Sequence, residues 1–144
     1  MTPTLTGGCL CGAIRYTVDA PITELRACHC KNCQKASGAG GSVNAVIPSA
    51  ALKITQGRPK RYSAAADSGR TLHRHFCGDC GSPLYGQRAA SPETYVLRAG
   101  SLDDGAGNAK IVSHIWTRSA RSWDHLDPAV KQHPGQPDAP AAKP

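Results

Sequence analysis

Large aromatic side chains are scarce in this chain of 144 residues, which has one phenylalanine and two tryptophans and is only 5% aromatic. Glycine and proline are plentiful, with 15 and 11 copies. A chain with few large core residues and many turn formers favours short strands over long helices. The composition also predicts a core that is reinforced by covalent bonds or by metal.

Long apolar runs are absent as well. No stretch of about 18 apolar residues is present, as a membrane-spanning helix would need, and the opening MTPTLTGG has neither a basic leader nor an apolar segment. We therefore expect a soluble, cytoplasmic protein with no membrane partner.

Dense runs of charge are missing too, although the formal net charge is +7. Lysine and arginine are scattered, and the densest pieces are RPKR (58–61) and RTLHRH (70–75). Neither is the block of five or more like charges that is typical of polyanion-binding tails. Cysteine thiolates holding divalent ions would lower the positive charge further, so the sequence argues against nucleic acid as a partner.

Helical periodicity is limited to two possible turns, at 32–36 and 48–51, whereas strand-like segments recur between turn signals. We predict a mainly β fold of small antiparallel sheets with few short helical turns, because no long helical run separates the strands. The predicted strands are residues 12–18, 25–30, 42–47, 52–55, 60–63, 71–76, 82–86, 94–99 and 113–117. We predict one domain over residues 1–132 and a disordered Pro/Ala-rich tail over residues 133–144.

Seven cysteines stand out against this background, and they fall into three groups: Cys9 and Cys11; Cys28, Cys30 and Cys33; Cys77 and Cys80. In a reducing compartment such thiols are more often metal ligands than disulfides, and an odd number would leave one unpaired. The C-x-C and C-x-x-C spacings both allow two sulfurs to contact one tetrahedral ion.

Two pairs make a complete set of four, and the natural combination joins Cys9 and Cys11 to Cys77 and Cys80 as a structural zinc site. Cys28, Cys30 and Cys33 then remain together at a second zinc. Other combinations of the pairs would leave the same division into four and three. The sequence thus predicts two Zn²⁺ per chain.

The fourth ligand of the three-cysteine site stays open at this point. Three protein ligands with a free position are typical of catalytic zinc, but a histidine would instead close a structural site. His29 lies between two cysteines and should point away from them, whereas His73, His75 and His114 remain candidates.

Five sequence blocks resemble the glutathione-dependent formaldehyde-activating enzymes, a family grouped with centromere protein V. They are GGCLCGAIRY (7–16), CHCKNCQKASGA (28–39), FCGDCGSPLY (76–85), GSLDD (100–104) and HIWTRSARSW (114–123). The resemblance implies a zinc-pinned β-tent, with Cys9, Cys11, Cys77 and Cys80 at structural zinc and Cys28, Cys30 and Cys33 at catalytic zinc. It further implies a carbon–sulfur lyase-type enzyme that acts on the adduct of a glutathione-like thiol and a small aldehyde such as formaldehyde.

Two other functions remain open from sequence: a zinc-stabilised module that binds protein or nucleic acid, and zinc storage or redox sensing by exposed thiolates. We also expect Phe76, Trp116 and Trp123 to fill the core, and Asp103 and Asp104 to form a turn. Lys31 and Lys35 flank the three-cysteine group and are expected to be solvated, with a second possibility that they attract substrate carboxylates.

Overall fold

Eleven short strands and one helix account for most of the regular structure in residues 4–137, the part of the chain that the computed structural model describes. The strands are β1 Leu5–Gly8, β2 Arg15–Val18, β3 Glu24–Cys28, β4 Ser42–Pro48, β5 Leu52–Gln56, β6 Lys60–Ala65, β7 Thr71–Phe76, β8 Pro83–Arg88, β9 Thr94–Arg98, β10 Lys110–Ile115 and β11 Lys131–His133. The helix α1 spans Lys31–Ser37, and single 3₁₀ turns occupy Ser49–Ala51, Ala99–Ser101 and Thr117–Ser119. The prediction of a mainly β fold is confirmed.

The strands form a three-stranded antiparallel sheet, β1-β2-β5, and an eight-stranded sheet in the order β11-β10-β3-β4-β9-β8-β7-β6. The large sheet is mixed, which the expectation of antiparallel sheets did not include: β10 runs parallel to both β3 and β11. This happens because the chain leaves β9, passes through the turns of residues 99–109 and re-enters the sheet beside β3 in the same direction.

All nine predicted strands have a counterpart, while β1 and β11 were not predicted. Neither segment alternates apolar and polar residues, which is the pattern that identifies a half-buried strand. Gly7 of β1 lies opposite Tyr16 of β2, and a Cβ at Gly7 would overlap the Tyr16 hydroxyl. The absence of a side chain at Gly7 therefore leaves room for the Tyr16 side chain of the neighbouring strand.

The large sheet has one face turned to the core and one turned away from it. On the core face, Leu97 and Tyr85 are directly opposed partners, and they pack with Tyr16 and Val18 of the small sheet in one buried cluster. Directly opposed residues share a face of a sheet, and side chains alternate along each strand. The intervening residues of β3, β4, β7, β8 and β9 consequently project from the opposite face.

The core is largely aliphatic, and the expectation for the tryptophans was partly wrong. Trp123 is 69% exposed, while Phe76 and Trp116 are only partly buried. Tyr16 and Tyr85 are the large aromatic residues that the described core buries, and Tyr16 donates to or accepts from Ser101 Oγ at 2.6 Å.

The end of the described chain packs on the domain. His133 belongs to β11, and the carbonyl oxygens of Pro134 and Gly135 accept hydrogen bonds from the backbone of Arg118 and Trp116. Residues 133–135 of the predicted tail therefore contact the rest of the described chain, whereas residues 138–144 lie outside the described residues. No helix within residues 4–137 is long and apolar enough to cross a membrane.

Candidate metal centres and the cleft beside one of them

Four cysteines meet where the turn between β1 and β2 lies against the turn between β7 and β8. The sulfur of Cys11 lies 3.6 Å from that of Cys9 and 3.8 Å from that of Cys77, and Cys80 completes the group. Sulfurs that share a tetrahedral zinc with Zn–S bonds of ~2.3 Å are separated by roughly 3.8 Å. The donor set and its spacing therefore fit a zinc ion.

Backbone amides point at these sulfurs. Ile14 N–H donates to Cys9 Sγ at 3.2 Å, and Asp79 N–H donates to Cys77 Sγ at 3.4 Å. The Ser82 hydroxyl and backbone lower the pKa of Cys80 to about 5. A lowered pKa favours the thiolate of Cys80, which is the form that binds metal.

The second group lies at the junction of β3 and α1. Cys28 ends β3, Cys30 is the N-cap of α1, and Cys33 lies in its first turn, where its N–H donates to Cys30 Sγ at 3.2 Å. All three cysteines are buried, with their sulfurs within 4.8 Å of one another. Hydrogen bonds from the Cys28 and Cys30 thiols, together with the charge of Arg98, lower the pKa of Cys33 to about 2.

Within residues 4–137, no histidine, aspartate or glutamate joins this group as a fourth ligand. The rings of His29 and His114 are instead hydrogen-bonded to each other. Asp127 N–H donates to His114 Nε2 at 3.1 Å, so that ring carries its proton on Nδ1 and donates to His29 Nε2 at 2.8 Å. His29 Nδ1–H then donates to Asp124 at 3.0 Å.

The other two histidine candidates are also engaged elsewhere. His73 Nδ1 lies 2.6 Å from the Ser63 hydroxyl, and the His75 ring packs on Tyr85 with ring centroids 4.4 Å apart. The three sulfurs thus form an incomplete coordination set for a tetrahedral ion, as far as the described residues provide ligands.

A cleft of about 670 Å³, part of it open to solvent, lies over the three sulfurs. Its remaining walls come from the outward face of the large sheet, from Trp116 and from the loop around Asp67. Four partly buried arginines line it, three of them on the neighbouring strands β7, β8 and β9: Arg70, Arg74, Arg88 and Arg98.

The charges of these arginines are not balanced by carboxylates within residues 4–137. In the described structure none of the four pairs with a carboxylate, and the one acidic residue of the cleft, Asp67, accepts a hydrogen bond from Lys31 N–H. Arg74 Nη1 is buried with no hydrogen-bond partner. A buried donor without an acceptor is uncommon in native proteins, so this cleft is suited to an anionic ligand.

Arg98 is the arginine most closely tied to the cysteine cluster. Its Nη1 donates to the side-chain oxygen of buried Asn44, whose own amide donates to Ser42 Oγ at 2.9 Å. Burial lowers the pKa of Arg98, and the nearby Cys33 opposes that shift. The sequence prediction missed Arg98 and Asn44 because they come from different strands and share no motif.

The remaining candidates are placed as follows. Lys31 and Lys35 are exposed and lie outside this cleft. Asp103 and Asp104 lie in the predicted turn, where Asp103 also forms an ion pair with Arg15 at 2.5 Å. The structure brings the seven cysteines together in the two predicted groups, and none of them forms a disulfide.

The sequence profile of the family described as glutathione-dependent formaldehyde-activating enzyme matches residues 4–119. A relative from Halomonas elongata is 28% identical over 128 residues, covering 85% of this chain and 81% of the relative. One from Fusarium vanettenii is 33% identical over 79 residues, or 55% of this chain and 41% of the relative. A third relative, from Sordaria macrospora, is 37% identical over 76 residues, which cover 53% of this chain and 31% of the relative. All three carry names that refer to glutathione-dependent formaldehyde activation, and the matched segment spans less than half of the two fungal proteins.

A crystal structure of a Rhodobacter sphaeroides protein has a similar fold. It superimposes with a TM-score of 0.58 and 22% identity, covering 74% of this chain and 99% of the other. At this level of identity the likeness concerns the fold.

Proposed function

The chain belongs to the family of glutathione-dependent formaldehyde-activating enzymes, and from this premise we propose that it joins a small thiol to a small aldehyde in the cleft over Cys28, Cys30 and Cys33. In the reverse direction the same chemistry is that of a carbon–sulfur lyase. The thiol we propose is glutathione or a close analogue, and the aldehyde is formaldehyde or another small one.

One observation carries the proposal. Three buried thiols lie together at the floor of an accessible cleft, and the described part of the chain offers them no fourth ligand. A closed structural site would have four protein ligands, whereas a catalytic site keeps one position for water or substrate. The four-cysteine group provides the internal comparison, because it is complete.

The reaction is an addition. A lone pair of the thiolate sulfur forms a bond to the carbonyl carbon while the π bond of the C=O group breaks and its electrons move to oxygen. The oxygen then takes up a proton, which balances the proton that the thiol loses on ionising. The product is a hydroxyalkyl thioether, and neither oxidant nor reductant is needed.

A zinc ion held by Cys28, Cys30 and Cys33 would supply an open position at which a substrate thiol is kept ionised near neutral pH. The cleft residues would do the rest. Arg70, Arg74 and Arg88 would bind the carboxylates of the thiol, for which the guanidinium group is well suited. Trp116 and Ile115 would cover the reacting atoms from one side and limit the access of water.

The other zinc would have a structural role. Held by Cys9, Cys11, Cys77 and Cys80, it would join the turns of two sheets and take no part in the chemistry. We place the protein in the cytoplasm, where seven unpaired thiols would remain reduced.

The test measures exchange between formaldehyde and its glutathione adduct by magnetisation-transfer NMR with ¹³C-labelled formaldehyde, because the uncatalysed addition also reaches equilibrium. We expect zinc-loaded protein to raise the exchange rate in proportion to its concentration. An exchange rate equal to that of the protein-free sample, at full zinc occupancy of both sites, would contradict the proposal for this pair of substrates.

A further inference from the structure

We infer that Arg98 is a catalytic residue that stabilises the negative charge appearing on the aldehyde oxygen when sulfur attacks, and that Asn44 is the positioning residue that holds it. The inference rests on the proposed function and adds to it the group that stabilises the oxyanion. It follows from the place of Arg98 in the sheet, from the absence of a carboxylate partner for it within residues 4–137 and from the charge balance of the cleft.

The register of the sheet aims Arg98 and the cysteine cluster at the same space. Cys28 lies directly opposite Ser42, and Asn44 lies directly opposite Arg98. Ser42 and Asn44 are two residues apart on β4, so all four side chains project from one face. Arg98 and Asn44 line the same cleft as the three cysteines.

The guanidinium group of Arg98 is held in place, but only some of its N–H donors have acceptors in the described part of the chain. Nη1 is held by Asn44, and the group lies over Gly86 of β8, where an added Cβ would be 3.7 Å from Nη2. No carboxylate in residues 4–137 pairs with Arg98. Since a guanidinium has five N–H donors, several remain to bind an oxygen in the cleft.

The addition step needs such a positive charge. Three thiolates carry more negative charge than one divalent ion cancels, so an oxygen that becomes anionic beside them is repelled. A preorganised donor aimed at the developing charge typically contributes about 10²–10³-fold in rate. Arg98 would donate N–H bonds to the oxygen as the C=O π electrons move onto it, and the alkoxide would then take its proton from water.

A carboxylate anchor is a different role, which the position of Arg98 does not favour. The carboxylates of a glutathione-like thiol lie several bonds from its sulfur, whereas Arg98 lies beside the cluster that would hold that sulfur. Arg88, at the end of β8 on the same face of the sheet, is suited to that anchoring role, and it provides a matched control within the same cleft.

The experiment compares four single variants, Arg98→Ala, Arg98→Lys, Asn44→Ala and Arg88→Gln, and the double variant Arg98→Ala/Asn44→Ala with the wild-type zinc-loaded protein. Exchange kinetics give kcat and KM for glutathione. Calorimetric titration gives the Kd of glutathione without aldehyde, and elemental analysis gives the zinc content. Each variant is also assayed with added methylguanidinium.

We expect Arg98→Ala to lower kcat about 100-fold while the Kd for glutathione and the zinc content stay within about twofold of wild type. Methylguanidinium should raise the kcat of Arg98→Ala about 10-fold and leave the kcat of the other variants unchanged. Arg98→Lys should keep part of the wild-type activity. Asn44→Ala should lower kcat about 10-fold, and the double variant should be no slower than Arg98→Ala. Arg88→Gln should raise KM and leave kcat near wild type.

Three results would overturn the inference. If Arg98→Ala raised KM and Kd with kcat unchanged, Arg98 would be a substrate anchor. If it lost one zinc per chain, Arg98 would be a counter-charge for the metal site. A wild-type protein without exchange activity would contradict the proposed function itself, whereas active wild type with a fully active Arg98→Ala variant would contradict only the role of Arg98.

Discussion

We expect the loss of Cys33 to separate chemistry from folding, because its sulfur belongs to the incomplete group in the cleft. We expect Cys33→Ser to reduce exchange activity by at least about 100-fold and to lower the zinc content from two ions per chain to about one. The melting temperature should fall by only a few degrees, because the four-cysteine group is unchanged.

Cys80→Ser is the matched control for that variant, since it removes one thiol from the complete group. It should lower the melting temperature much more than Cys33→Ser does. Equal destabilisation by the two substitutions would show that the three-cysteine group is also structural, and would argue against a catalytic role.

Cysteine spacing was informative at the residue scale, whereas the charged lining of the cleft was not predictable. C-x-C and C-x-x-C place ligands locally, so the division into four and three could be worked out by counting, and the structure groups the sulfurs in that way. The four arginines become neighbours only after β7, β8 and β9 pair. The sequence around a single arginine in a strand does not reveal whether that arginine pairs with a carboxylate in the fold.

At the scale of elements, the close approach of β4 to β3 depends on Gly41. A Cβ at Gly41 would overlap the carbonyl oxygen of Cys28, so the strands would have to move apart beside the cluster. We expect Gly41→Ala to lower the free energy of unfolding by about 1–3 kcal/mol, as overpacking does, and to reduce exchange activity. Urea denaturation and the NMR assay measure the two effects.

Gly100 supplies the control, because a Cβ there would meet no atom within 4 Å and its φ is not in the left-handed region. Gly100→Ala should change stability by less than about 0.5 kcal/mol. If Gly41→Ala proved equally neutral, the approach of β4 to Cys28 would not be sterically limited.

The hydrogen-bonded series Asp124, His29 and His114 fixes the connection between β3 and α1. Removing the carboxylate in Asp124→Ala leaves the buried His29 Nδ1–H without an acceptor, and we expect a loss of about 1–3 kcal/mol in urea denaturation. In Asp127→Ala the backbone N–H still donates to His114, and only the exposed hydrogen bond from Ala129 N–H to the carboxylate is lost, so the loss should be smaller, about 0.5 kcal/mol. Equal losses in the two variants would show that the Asp124 contact does not stabilise this connection.

Strands could be predicted where local sequence pattern defines them, and not where pairing with distant segments does. Strands with clear alternation were found, whereas β1 and β11 lack that pattern and are defined by pairing with distant partners. The parallel direction of β10 likewise depends on the path of the chain through residues 99–109, which local periodicity does not encode.

At the scale of the whole molecule, the two cysteine groups should release metal in order. A structural zinc site contributes about 10–16 kcal/mol of apparent binding free energy, which is comparable with the net stability of a domain, about 5–15 kcal/mol. In a titration with increasing chelator, we expect the three-cysteine site to empty first with circular dichroism unchanged. The four-cysteine site should empty at higher chelator concentration, together with unfolding. Unfolding that accompanies the first zinc released would contradict this order.

The separation of the ligands along the chain has a consequence for biosynthesis. Cys28, Cys30 and Cys33 emerge from the ribosome within a few residues of one another, while the sulfurs of Cys11 and Cys77 that meet in the fold are 66 positions apart. The nascent chain can therefore capture an ion at the three-cysteine group well before the ligands of the four-cysteine group are all present. Zinc supply during translation would thus act first on the site proposed for chemistry and later on the site proposed to stabilise the fold.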